Sequence, residues 1–139
     1  MFTNQSTRQE ILLIEDDTNF RWRLLHFLED RGYAVLDAEN GMQGIKLALN
    51  HQPDLILCDI GMPQYNGYDV LKQLQKDQKT ASIPFIFFTN RGDSECSIAL
   101  NAGANDCLSK ALSFEQVLER LLPHLRSTSP VQILPKLEK

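Results

Sequence analysis

Five short apolar runs, each followed by a segment with helical periodicity, leave this chain few ways to fold. Ile11-Leu12-Leu13-Ile14 precedes Phe20, Leu24, Phe27 and Leu28, which line one face of a helix expected to end at Gly32. Residues 33–38 predict a more amphipathic second strand, and Met42, Ile45, Ala48 and Leu49 a helix ending before Pro53, because the residue preceding proline is pushed out of the helical region. Leu55-Ile56-Leu57-Cys58 is the third strand. A turn-rich stretch, residues 61–67 with its Pro63 and Asn66-Gly67, leads to a helix marked by Val70, Leu71 and Leu74. Phe85-Ile86-Phe87-Phe88 is the fourth strand, residues 94–102 a weaker helix closed by Gly103, and Asp106-Cys107-Leu108 a short fifth strand. Ser113 and Gln116 predict a capping box for a last helix whose apolar face runs from Phe114 to Leu125, with Pro123 distorting its final turn. Strands 1, 3 and 4 are apolar on both faces, which implies an α/β fold: a parallel five-stranded sheet with helices on both faces, since right-handed crossovers place helices on either side.

Such sheets bind their ligands at the carboxyl ends of the strands. There the first strand ends in Glu15-Asp16-Asp17, the third in Asp59, the fourth in Thr89 and the fifth in Ser109-Lys110. In a parallel sheet these groups converge on one edge. Several carboxylates sharing a cleft repel one another unless a cation offsets them, and a hard divalent ion is the natural one. Mg²⁺ prefers an octahedron of oxygen ligands, which Asp16, Asp59 and a loop carbonyl near Gly61 can supply.

Composition narrows the function classes. The chain has 139 residues, 42% hydrophobic, enough for one domain, at a size where roughly two-thirds of the unfolded surface is buried without staples. With 14 basic against 18 acidic residues and no basic cluster, a general nucleic-acid binder is not expected. Cys58, Cys96 and Cys107, odd in number and scattered, read as reduced thiols acting as small hydrophobes in a cytoplasmic protein. No run approaches the roughly 18 apolar residues of a membrane span. Residues 1–8 read as a flexible N-terminus, 9–126 as the folded domain and 127–139, where Ser and Pro accumulate, as a C-terminal tail too short for an output domain.

The segments ILLIEDD, LILCDIGMP, NGYDVL, FIFFTN and LSK occur in the order and context of bacterial response-regulator receiver domains, and the resemblance covers residues 9–126. It implies the flavodoxin-like (βα)5 receiver fold with strand order 2-1-3-4-5. It further implies that Asp59 is the phosphoacceptor for a sensor histidine kinase or phosphotransfer protein. Asp16 resembles the direct metal ligand and Glu15 the acid that holds Mg²⁺ through water, while the Gly61 carbonyl fits the remaining protein ligand. Thr89 and Lys110 resemble the hydroxyl and ammonium that contact the phosphoryl group, with Lys110 paired first to Asp59. Phosphorylation would then switch affinity for a downstream target protein through helix 4, strand 5 and helix 5, in a monomer or weak homodimer without nucleic-acid or membrane partners. Two positions depart from the family's pattern. Cys107 replaces the aromatic common on strand 5, and Ala111 stands where a proline is frequent, so that either a strained cis bond is kept or the loop takes another path.

Taken singly, these residues also admit plainer roles. Asp17 reads as a helix cap, Trp22 as packing, and His26, His51 and His124 as surface residues. Three other functions compete with a phosphorylation switch. One is a module on the same fold that docks without phosphorylation. A second is an aspartate-nucleophile phosphatase, which would need an acid/base two residues after Asp59, where Gly61 stands. The third is a flavin carrier, whose phosphate loop an acidic cluster would repel. The absence of a histidine from the cluster counts in favour of phosphoryl transfer, because a carboxylate nucleophile is already ionised at neutral pH and needs no base.

Overall fold

The computed structural model describes residues 8–125. The elements alternate in chain order: β1 (Glu10–Ile14), α1 (Thr18–Asp30), β2 (Ala34–Ala38), α2 (Gly41–His51), β3 (Leu55–Asp59), α3 (Gly67–Gln75), β4 (Phe85–Thr89), α4 (Asp93–Asn101), β5 (Asp106–Ser109) and α5 (Phe114–Leu121). All strand pairs are parallel and the sheet order is β2-β1-β3-β4-β5. The three doubly apolar strands occupy the interior of the sheet, as their composition requires, and the more polar β2 and β5 form its edges. Of the segments set apart from the domain, the N-terminal residues up to Thr7 and the tail 127–139 lie outside the described residues. Among the described residues no helix is long and apolar enough to cross a membrane.

Alternation along each strand divides the core into two layers. Ile11, Leu13, Leu55, Leu57, Ile86, Phe88 and Leu108 face α1 and α5, where Leu24, Leu28, Val117 and Leu121 are buried. Leu12, Ile14, Ile56, Cys58, Phe85 and Phe87 face the opposite way, toward Ala48, Val70, Leu74 and Ala99 of α2, α3 and α4. Side-chain caps start α1, α2, α3 and α5 where the strand-end loops need them to start. Asp17 Oδ1 accepts the Phe20 N–H at 3.2 Å, Asn40 Oδ1 the Gln43 N–H at 2.8 Å, and Ser113 with Gln116 forms the expected reciprocal box. Asn66, expected only as turn punctuation, caps α3 in a second box with Asp69.

The last helix shows the distortion expected at Pro123: it ends at Leu121 and continues as a 3-10 turn over Leu122–His124, because Pro123 has no N–H with which to extend the ladder. Two local expectations are corrected. Trp22 is 56% exposed, because the buried line of α1 runs through Arg21, Leu24 and Leu28 and the next residue is turned about 100° away. Two of the three cysteines are not free: Cys96 on α4 is bonded to Cys107 on β5, while Cys58 remains a buried thiol. Their Cα atoms stand 5.4 Å apart, within the usual disulfide range, a proximity that a separation of 11 residues along the chain did not announce.

One close approach ties the fold to the carboxyl edge. A Cβ on Gly67 would lie 2.5 Å from the backbone oxygen of Asp59 and 2.8 Å from the Phe87 ring, whereas one on Gly61 would meet nothing within 4 Å. Gly67→Ala is therefore expected to overpack the end of β3 and cost about 1–3 kcal/mol, while Gly61→Ala stays within about 0.5 kcal/mol. Urea unfolding of the two variants checks this, and equal midpoints would refute it.

Candidate functional site

β1, β3, β4 and β5 all deliver their last residues to the same edge. Oxygen atoms of Glu15, Asp16 and Asp59 lie within 4.8 Å of one another, with Glu15 and Asp59 buried and Asp16 exposed. The ammonium of Lys110 enters this group from the end of β5, positioned by its own N–H to the Thr89 carbonyl at 2.9 Å. It lies 2.8 Å from Glu15 Oε1 and 3.4 Å from Asp59 Oδ1, and its Nζ stands 5.1 Å from the centroid of the Phe20 ring. The expected pair of Lys110 with Asp59 is present, and the ammonium stands nearer still to Glu15, which is wholly shielded from water and needs a counter-charge most.

The titration of these groups follows from their burial. Glu15 is pushed up to about 7, first by burial and then by the neighbouring Asp59 charge, against the pull of Lys110 and of the Asp17 N–H, which donates to Oε2 at 3.0 Å. Burial also raises Asp59, assisted by Asp16 and opposed by Lys110 and the Gly61 N–H. Burial alone would lower Lys110, but Glu15 and Asp59 outweigh it and hold it above the usual lysine range. Glu15 Oε1 is buried with no aligned hydrogen bond, so charge attraction to the Lys110 ammonium at 2.8 Å is what holds it. A buried, underbonded carboxylate oxygen beside two further carboxylates suits a hard divalent cation, which prefers oxygen donors.

The remaining expected residues lie beside this group. Asp59, Gly61, Thr89 and Asn90 line one cleft of about 450 Å³, together with Tyr68 of α3 and Glu95 of α4. Thr89 Oγ1 accepts the Arg91 N–H at 2.9 Å, which leaves its own proton free for an acceptor in the cleft. The Ala111 position resolves in favour of the other loop path. The described residues contain no cis peptide bond, and the Ala111 N–H donates to Ser109 Oγ at 3.0 Å, a bond proline could not make. Asp16, Asp59, Gly61, Thr89, Lys110 and Glu15 are thus all brought to one edge.

Two features escaped the sequence. Arg21 is 6% exposed, donating from its Nη1 to the Glu15 carbonyl at 2.7 Å and from Nε to Asp37 Oδ2 at 3.0 Å. It clamps the turn that carries Glu15 and Asp16. Its sequence signal was an arginine on the buried line of an amphipathic helix. Tyr68 donates to Glu95 Oε2 at 2.5 Å and is raised to about 12 by burial and that carboxylate, while Arg91 Nη1 lies 3.8 Å from Glu95. These contacts join α3 to α4 across the mouth of the cleft.

The raised carboxyl groups set a direction for stability. An acid whose folded pKa exceeds its unfolded value binds protons more tightly when folded, so its contribution is complete below the ordinary value of 4.5 and is lost as pH rises to about 7. In chelator, the protein is expected to lose on the order of 1–2 kcal/mol between pH 5 and pH 8. Unfolding curves of wild type and Glu15→Gln measure this, and an unaltered pH profile in the variant would contradict the assignment. Arg21→Met, which strands Asp37 and the Glu15 carbonyl, is expected to cost about 1–3 kcal/mol and to weaken divalent-ion binding. Calorimetric titration checks the second effect, and wild-type affinity would rule out the clamp.

The chain matches the response regulator receiver domain model over residues 11–122, a span containing every residue of this edge. It is 37% identical over 112 residues to the protein PilH of Pseudomonas aeruginosa, covering 80% of this chain and 93% of that protein. It is 36% identical to the DNA-binding dual master transcriptional regulator RpaA of Synechocystis and 35% identical to the phosphate regulon transcriptional regulatory protein PhoB of Pseudomonas aeruginosa. Those two matches cover 87% and 86% of this chain but only 51% and 53% of the relatives, so it spans about half their length. Among solved structures, the chemotaxis response regulator CheY4 of Vibrio cholerae superimposes with a TM-score of 0.81 at 25% identity, over 86% of this chain and 100% of that one. A response regulator of Chloroflexus aurantiacus, described as putative, gives a TM-score of 0.80 at 28% identity, over 85% and 98%. With the sheet order, the acidic edge and these likenesses in agreement, the chain belongs to the response regulator receiver domains of two-component signalling.

Proposed function

We propose that this protein is a phosphorylation switch in which Asp59 accepts a phosphoryl group from the phosphohistidine of a sensor kinase or phosphotransfer protein. One observation carries the reading: a buried carboxylate, Asp59, at the floor of an open cleft, with an ammonium 3.4 Å away and two more carboxylates within 4.8 Å. Lys110 opposes the protonation that burial favours, so the Asp59 carboxylate is held available as a nucleophile. Its Oδ attacks phosphorus in line, the O–P bond forms as the N–P bond breaks, and the donor imidazole departs with the electron pair and is protonated. The Thr89 proton and the Lys110 ammonium then meet the new phosphoryl oxygens. Glu15, Asp16 and Asp59, with the Gly61 carbonyl, would hold Mg²⁺, which when bound neutralises charge on the transferring group. Gly61 offers no acid or base, which supports a switch rather than a turnover enzyme.

The signal would pass through α4, β5 and α5 to a target protein in the cytoplasm, without direct contact to nucleic acid or membrane. The cleft supports this route, since Glu95 of α4 and Thr89 of β4 line it together with the acceptor. Incubation with Mg²⁺ and a small acyl phosphate is expected to add the mass of one phosphoryl group, and Asp59→Asn to abolish the gain. Lys110→Ala is expected to slow the gain by about a hundredfold or more, in line with loss of one electrostatic contact in the transition state. No gain in wild type would favour a module that docks without phosphorylation.

A further inference from the structure

We propose that Cys96 and Cys107 form a reversible redox-modification site whose disulfide fixes α4 to β5, and whose reduction by a dithiol frees α4. Its bearing on signalling rests on the phosphorylation reading above, but its chemistry does not.

α4 has little else to hold it. Ala99 is its one buried residue, Gly92 at its start provides no side-chain cap, and Ile98 and Leu100 are 57% and 48% exposed. A helix with so little buried apolar surface sits at the low end of local stability, so a covalent tie to a central layer changes its freedom greatly. β5 is such an anchor: Cys107 is buried and Leu108 beside it is fully enclosed. The tied helix is also a wall of the acceptor cleft. Glu95, adjacent to Cys96, lines that cleft and accepts the Tyr68 hydroxyl from α3. Cys107 stands where an aromatic side chain is common in the family, so here a bond that can be made or broken occupies that position on the strand.

Access assigns the order of events. Cys96 is half-buried on an exposed helix, whereas Cys107 is buried. A thiolate of an external dithiol attacks Cys96 Sγ and forms a mixed disulfide, and the Cys96–Cys107 bond breaks. Cys107 leaves with the electron pair and takes a proton from water. The reductant's second thiolate then attacks its own sulfur in the mixed disulfide, releasing Cys96 as a thiolate that is protonated in turn. Two electrons pass from the dithiol, which becomes a disulfide, and a disulfide oxidant runs the steps in reverse. Cys58 takes no part, because burial holds its thiol well above the usual range. In a reducing compartment lasting disulfides are rare and those found are commonly redox-sensing, which suits this pair.

The test equilibrates the full chain in a graded series of reduced and oxidised dithiothreitol and glutathione, followed by acid quenching, alkylation and peptide mass analysis. A single two-electron transition confined to Cys96 and Cys107, within the range those buffers span and unchanged in Asp59→Asn, is expected. Hydrogen exchange of the 93–101 amides is expected to be roughly tenfold faster or more in the reduced protein, and equally fast in Cys96→Ser under oxidising conditions. Two free thiols at these positions under every oxidising ratio, a disulfide that no ratio reduces, or equal exchange in both states would each overturn the proposal. Failure of Asp59 to accept phosphoryl would overturn the phosphorylation reading alone and leave this titration as it is.

Discussion

The ammonium of Lys110 between Glu15 and Asp59 is the interaction on which the rest of this structure depends. Three carboxylates meet at the end of the sheet, and two of them are shielded from water, where their charges cost most. A single cation 2.8 Å from one and 3.4 Å from the other makes that arrangement tolerable without cancelling it. The residual strain is visible in the carboxyl groups of Glu15 and Asp59, both held above their ordinary range despite the lysine. A site balanced in this way attracts further positive charge. Clustered carboxylates perturbed in this way mark a candidate functional site.

That balance requires the backbone beneath it to be stiff. Arg21 grips the carbonyl of Glu15 from below, and Gly67 lets α3 begin against the carbonyl of Asp59 with no side chain between them. The caps at Asp17, Asn66 and Ser113 start α1, α3 and α5 immediately beyond the loops that carry the site. Each device is small, but together they hold the clustered side chains at the strand ends.

α4 is the exception, since no side chain caps its start. It is enclosed by little apolar surface, yet it contributes Glu95 to the cleft and carries one half of the disulfide. A hydrogen bond from Tyr68 and a sulfur bridge to β5 tie it to α3 and to the sheet.

The sequence by itself determined the order of strands and helices, the interior position of the doubly apolar strands and the convergence of Asp59, Thr89 and Lys110. These follow from the periodicity of apolar residues and from the parallel sheet that periodicity demands, because polar residues ending parallel strands must share an edge. Only the tertiary structure decided which carboxylate Lys110 approaches most closely, since that depends on relative burial at separations of a few ångströms. The same holds for Arg21, whose partners come from the turn after β1 and from β2, and for Trp22, whose outward direction depends on the rotation of α1. The pairing of Cys96 with Cys107 was least legible of all. Side-chain spacing along the chain carries no distance information across a helix and the turn after it, and only the packing of α4 against β5 brings the two sulfurs together.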